Sequence, residues 1–385
     1  MPDMKANKFV ALLLAGLLAA GCSSKGEKKA EKPVALEKIS AEVKLHKEWS
    51  TSVGVGQGKL WNRLTPAIDG GQLFVADAGG LVLSLDRYTG KKNWQRKLKK
   101  TEISGAIGAG AGQVVLGTLA GEVIALDAAT GNDLWRVRIG SEILAAPAVN
   151  DRVVVVQTQD DRLIALDAFT GAQRWVHEST PALLTLRGTS APLLTDYVVY
   201  AGLSTGKVIA VELEHGLPVW EQRIAVPSGR TELERMVDVD GSLVLKDGVL
   251  YVSAFNGHAA GLDEQTGRVL WQRASSSTGA VAQGYGNAYV SLDGGTIEAV
   301  DERSGSVMWR NESLLRREPT GLGTLSSYVV TGDLEGYVHL LSQVDGRFVA
   351  RTRIDSKGIR VRPLVEGGWM YVYGNGGKLV ALTIQ

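Results

Sequence analysis

Short apolar runs of four to six residues recur along most of the chain, each closed by Gly, Asp, Asn or Pro. Residues 146–176 show the pattern. Ala146-Pro147-Ala148-Val149, Val153 to Gln157, Leu163 to Asp167 and Gln173 to Val176 read as four successive strands separated by turn-forming residues. Nothing between these runs carries the period of an amphipathic helix, which argues against an α/β fold.

The pattern repeats. The frame Asp-x-x-Thr-Gly-x-x-x-Trp occurs at Asp86/Gly90/Trp94, Asp127/Gly131/Trp135, Asp167/Gly171/Trp175 and Asp263/Gly267/Trp271, and with Ser304 for Thr at Asp301/Gly305/Trp309. Degraded copies stand at Glu212/Gly216/Trp220 and Ser342/Gly346/Ala350. Successive copies are 41, 40, 45, 51, 38 and 41 residues apart, and a further 41 reaches Thr383 in an eighth copy without a Trp. Four short strands per roughly 40 residues is the period of a propeller blade. The Asp can accept hydrogen bonds from turn amides, the Gly can supply a positive φ, and the Trp can pack on the neighbouring blade. The frame is therefore a structural device before it is a chemical one.

The eighth copy's missing Trp strand has a candidate at the other end, Val43-Lys-Leu-His-Lys-Glu-Trp49, 45 residues before Trp94. Pairing it with Lys378 to Thr383 would remove both free sheet edges. The expectation is an all-β, eight-bladed β-propeller over residues 41–385, with four antiparallel strands per blade, closed by its N- and C-terminal segments.

The first forty residues read differently. Lys5 and Lys8 precede the apolar run Phe9 to Ala20, too short to span a bilayer, so residues 1–21 read as a signal peptide. Ala19-Ala20-Gly21-Cys22 resembles a bacterial lipobox, with the usual Leu one position early at Leu18; the resemblance implies acylation of Cys22, the sole cysteine. Ser23 after it implies sorting to the outer membrane. Residues 22–40, charged and free of aromatics, read as a flexible tether with a reach of roughly 60 Å.

Chemistry is sparse. A formal charge of +1 with no basic stripe gives nucleic acid no footprint. His46, His177, His215, His258 and His339 fall in different units without paired spacing, so no metal site is expected. Gly54-Val-Gly-Gln-Gly-Lys59 lacks the spacing and the Ser or Thr of a phosphate loop. Gly105 to Gly112 is not followed by a helix; it reads as a connection between the first and second strands of its blade. Carboxylates concentrate at the repeated turn, so no glycosidase pair stands out.

The Ala-x-Asp-x-x-Thr-Gly-x-x-x-Trp frame is similar to the repeat of the pyrroloquinoline-quinone dehydrogenases, which implies an eight-bladed fold and makes a quinone-dependent enzyme the rival reading. Those enzymes are usually longer, and many carry an adjacent cysteine pair that is absent here. No cofactor is expected.

Departures from the repeat carry more. The 51-residue interval holds Val226-Pro-Ser-Gly-Arg-Thr-Glu-Leu-Glu-Arg-Met-Val-Asp-Val-Asp240, and the 45-residue interval holds Thr180-Pro-Ala-Leu-Leu-Thr-Leu-Arg187. Function in a repeat protein tends to sit on such extra loops. At these residues the chain resembles the BamB family of lipoproteins of the outer-membrane β-barrel assembly (BAM) machinery. The resemblance implies a non-enzymatic scaffold that docks on the periplasmic POTRA domains of BamA, with Leu184, Leu186, Arg187, Asp238 and Asp240 as the matching docking positions. It also leaves room for unfolded barrel clients as partners. Two leucines can form an apolar anchor, and an Arg with two Asp can add charge-assisted bonds. Arg187 pairing with an Asp of its own propeller, and a generic periplasmic binding propeller, stay open alongside.

Overall fold

A computed structural model describes residues 31–385. The expected signal peptide, Cys22 and the first part of the tether lie outside the described residues. Among the described residues thirty-two strands form eight four-stranded antiparallel sheets. Seven blades use consecutive strands: residues 67–97, 103–138, 148–178, 193–223, 244–275, 282–311 and 323–353, here blades 1 to 7. Blade 8 joins Leu364–Glu366, Trp369–Tyr373 and Lys378–Ile384 to the N-terminal strand Leu45–Ser52. The expected closure is present, with Trp49 opposite Ala381.

Register explains the frame. Each fourth-strand Trp sits opposite a small residue two places before the frame's acid: Trp94 opposite Ser84, Trp135 opposite Ala125, Trp175 opposite Ala165. The pairing shifts immediately beyond, so a bulge bends the outer strand there. In the turn between the third and fourth strands, Asp127 Oδ1 accepts from the Thr130 amide at 2.7 Å and its hydroxyl at 2.6 Å. The Thr130 hydroxyl, followed by its amide, holds this carboxyl below the usual range.

Gly131, at φ +72°, then passes over the Trp94 ring of the preceding blade, and a Cβ there would meet the ring at 2.7 Å. The indole completes the join: Trp94 Nε1 donates to the carbonyl of Ala128 at 2.8 Å, Trp135 to Ala168 at 2.8 Å and Trp175 to Leu213 at 2.8 Å. The repeat thus cements blade to blade. Trp271 is the exception. Opposite it stands Gly261, where a Cβ would lie 2.4 Å from Nε1, and that buried indole N–H has no partner.

Two expectations differ from the structure. Gly105 to Gly110 is not a connection but part of the innermost strand of blade 2, Ile103–Gly110; only Ala111 and Gly112, both at positive φ, make the turn. Inner strands crowd around the propeller axis, and a Cβ on Gly108 would sit 2.1 Å from the Pro147 carbonyl oxygen. The packed unit also begins at Val34, inside the expected tether. Val34 donates its amide to Leu315 O at 3.1 Å and accepts from Arg317 Nη1 at 3.0 Å, and Leu36 packs against the core cluster containing Trp309. Leu36 supplies apolar contact, and the buried Arg317 supplies a donor that needs an acceptor.

The two ends of the propeller differ. The Asp-x-x-Thr-Gly turns lie beside the turns joining first and second strands, as the bonds Arg87 N to Gly71 O and Ala128 N to Gly112 O record. At the opposite end the connections between blades meet the turns joining second and third strands, with Leu98 N donating to Gly80 O and Ile139 N to Gly121 O. Both excursions are inter-blade connections, so they emerge at the end away from the repeated turns.

Candidate functional site

The first excursion links Gln173–Glu178 to Leu193–Leu194, and the second links Pro218–Arg223 to Val244–Lys246. Neither has a repeat template to follow, and the two brace one another. The Leu186 amide donates to Asp238 Oδ2 at 3.2 Å, and Ser190 Oγ donates to Gly241 O at 3.2 Å. Asp240 lies directly beneath Gly188, where a Cβ would meet its carboxylate at 3.0 Å. From blade 3, Gln159 Nε2 reaches Thr185 Oγ1 at 3.0 Å. The second excursion is tied inward through Asp238 O, which accepts from the Phe255 amide at 2.7 Å.

These contacts sort the five expected docking residues into two groups. Leu184 is exposed (48%), next to the still more exposed Leu183 (87%); Leu186 is half-buried and Arg187 exposed. Asp238 and Asp240 do not face outward as expected; they are 2% and 5% exposed. The run Val237-Asp238-Val239-Asp240 is held inside because Val237 and Val239 pack into the core cluster of blades 4 and 5. Burial raises the Asp238 carboxyl above the ordinary range, and Asp240 and then Asp161 push it further. Burial likewise raises Asp240, and Arg63 offsets part of the rise. The two carboxyls form the floor of the loop that carries Arg187.

Arg187 takes neither Asp. Its Nη1 donates to Glu142 Oε2 at 3.1 Å, a solvent-exposed pair between the first excursion and the connection from blade 2 to blade 3. The sequence offered no signal for Glu142, which lies outside every copy of the frame.

More apolar surface stands at this end. Val226 and Leu233 of the second excursion are exposed, as are Leu60 and Trp61 of the segment between Leu45–Ser52 and blade 1. Gly54 to Lys59 forms turns in that segment. Arg360 covers the Trp61 ring, its guanidinium carbon 4.2 Å from the ring centroid. Inside the ring of loops lies a cavity of about 1140 Å³ on the propeller axis, with Leu186, Arg187 and Asp240 among its walls.

This arrangement can hold a partner by an apolar anchor beside a charged rim. The family model described as outer membrane protein assembly factor BamB matches residues 35–111, 78–311 and 293–385. The chain is similar to the outer membrane protein assembly factor BamB of Pseudomonas aeruginosa, 55% identical over 378 residues, covering 98% of this chain and 99% of the relative. Among solved structures, BamB from Moraxella catarrhalis aligns with a TM-score of 0.81 at 27% identity, over 88% of this chain and 99% of that one. The quinohemoprotein alcohol dehydrogenase of Comamonas testosteroni shares the fold, with a TM-score of 0.70 at 14% identity over 88% of this chain and 76% of its own.

Proposed function

The chain belongs to the family of the outer membrane protein assembly factor BamB, and from that premise we propose that it is a non-enzymatic scaffold lipoprotein of the β-barrel assembly complex. It docks on the periplasmic POTRA domains of BamA and assists the folding and insertion of outer-membrane β-barrel proteins. One observation carries the reading: the two longest departures from the repeat pack on each other and raise Leu183, Leu184 and Arg187 together at one end of a rigid ring. In this reading Leu184, Leu186 and Arg187 make the contact, while Asp238 and Asp240 hold the loop from beneath.

A scaffold role is supported by the relatives, which are named as assembly factors. The proposal places the protein at the periplasmic face of the outer membrane, held by lipid on Cys22. With Val34 packed on the propeller, the twelve-residue step from Cys22 spans at most about 42 Å.

Titration of purified POTRA domains against the full propeller tests the docking. Arg187→Glu and Leu184→Asp are expected to abolish or strongly weaken binding with unchanged melting curves, whereas Lys97→Glu on the outer strand of blade 1 binds like wild type. Undiminished binding by Arg187→Glu and Leu184→Asp would overturn this surface.

A further inference from the structure

The repeat has a second fixed position, the last residue of the turn between the second and third strands of a blade. Blades 1, 2, 4, 7 and 8 place glycine there, at Gly80, Gly121, Gly206, Gly336 and Gly377, all with positive φ. Crowding adds to the demand for glycine. A Cβ would lie 2.5 Å from Leu98 O at Gly80, 2.7 Å from Ser141 N at Gly121 and 2.6 Å from Ala225 O at Gly206, in each case a backbone atom of the connection that follows the blade.

Blade 3 breaks this rule. Its turn ends on Asp161, buried at φ +57°, a backbone conformation that strains a residue with a side chain. The connection that follows blade 3 is the first excursion. The Asp161 carboxyl grips one residue of the next blade: Ser204 Oγ donates to Oδ2 at 2.5 Å, and the Ser204 amide approaches the two oxygens at 3.1 and 3.2 Å. A hydroxyl has one proton and two lone pairs. With its proton on Asp161, Ser204 Oγ is left as an acceptor, and the Ala182 amide of the first excursion donates to it at 3.0 Å.

The excursion is therefore pinned by two backbone amides, Ala182 on Ser204 and Leu186 on Asp238. Leu183 and Leu184, the exposed apolar pair, stand between the pins. No strand ladder runs through residues 179–192, so these side chains supply what regular structure does not.

We propose that Asp161 and Ser204 are positioning residues for docking: the strained aspartate orients the serine hydroxyl, and the hydroxyl fixes the backbone that presents Leu183 and Leu184 to the partner. The inference rests on the POTRA-docking reading for its consequence, but the positioning itself is a property of the free propeller. Asp161→Gly restores the residue that the other blades use and relieves the strain, so binding and stability should part company.

Two measurements on the full propeller test this. Hydrogen exchange in the free protein reads the pin: in Ser204→Ala and Asp161→Gly the amides of residues 182–184 should exchange about tenfold faster, the effect of losing one hydrogen bond, while Ser204→Thr, which keeps the hydroxyl, restores slow exchange. Titration with purified POTRA domains reads the consequence. Ser204→Ala and Asp161→Gly should bind about tenfold more weakly, Ser204→Thr should bind like wild type, and Asp161→Gly should melt no lower than wild type. Wild-type exchange in both Ser204→Ala and Asp161→Gly overturns the proposal. So does an Asp161→Gly protein that loses binding only together with its thermal stability, since that marks Asp161 as a support of the fold. If wild type itself does not bind POTRA domains, the docking reading fails, and exchange at residues 182–184 still decides whether Asp161 and Ser204 position the loop. Ser204→Ala and Asp161→Gly probe the same pin from its two sides, so either one suffices if the other does not fold.

Discussion

The backbone amide of Leu186 donates to Oδ2 of Asp238 at 3.2 Å, so the loop bearing Arg187 is held from below by a carboxyl 52 residues further along the chain. That carboxyl is buried, and burial with two neighbouring carboxyls raises its pKa. The folded state therefore holds a proton that the unfolded chain releases in the ordinary carboxylate range, near 4. Stability from this group is present at mild acid and is lost as pH rises through the raised pKa.

Asp238→Asn keeps an acceptor for Leu186 without the titrating charge. It is expected to raise the melting temperature near pH 8 by about 1–2 °C, from about 1 kcal/mol, with little change near pH 5. Thermal melts of both proteins across pH 5 to 8 check this. Some slope remains, because Asp240 is also raised. A wild-type protein that grows steadily more stable up to pH 8 would contradict the assignment.

Exchange of Arg187 and Glu142 separates shaping from docking. An exposed pair of this kind contributes about 0–1 kcal/mol to stability, so Arg187→Glu, Glu142→Arg and the double reversal should melt almost alike. For POTRA binding, Arg187→Glu is expected to cost about 2 kcal/mol, roughly thirtyfold. The double reversal restores the internal pair but not the affinity. Recovery of binding in the double variant would reassign Arg187 to shaping its own loop.

Gly131→Ala tests the blade joint. Its φ of +72° and the 2.7 Å approach of a Cβ to the Trp94 ring both oppose a side chain, for an expected loss of about 2 kcal/mol or more. Gly71, with nothing within 4 Å and no positive φ, serves as control, and Gly71→Ala should change stability by less than about 0.5 kcal/mol. Urea titration followed by tryptophan fluorescence gives both values.

Closure is tested by deletion. Removing residues 45–52 strips the fourth strand from blade 8 and exposes the edge of Lys378–Ile384, which pairs with it from Leu45↔Ile384 to Ser52↔Lys378. Removal of residues 378–385 should do comparable damage. Both proteins are expected to melt well below the intact chain and to aggregate on heating, read by light scattering during the melt.

The sequence by itself determined the architecture. The Asp, Thr, Gly and Trp of each frame act within one turn or on the next blade, so spacing alone exposes the blade count and even the distant partner of the last strand, through Trp49. It also marked the two excursions, because a departure from a repeat is visible wherever the repeat is strong. Tertiary structure decided what those excursions do with their charges. Asp238 and Asp240 look like surface acids in a polar loop, yet Val237 and Val239 draw them into the core of blades 4 and 5. Arg187 meets Glu142, 45 residues away in a connection that follows no template. The inner glycines of blade 2 read as a connection because glycine in sequence signals a turn; only the crowding of inner strands around the axis makes Gly108 a strand residue. The cavity that gathers Arg63, Arg360 and Arg362 exists only once the ring is closed, since it brings together wall residues from separate blades whose spacing along the chain carries no period.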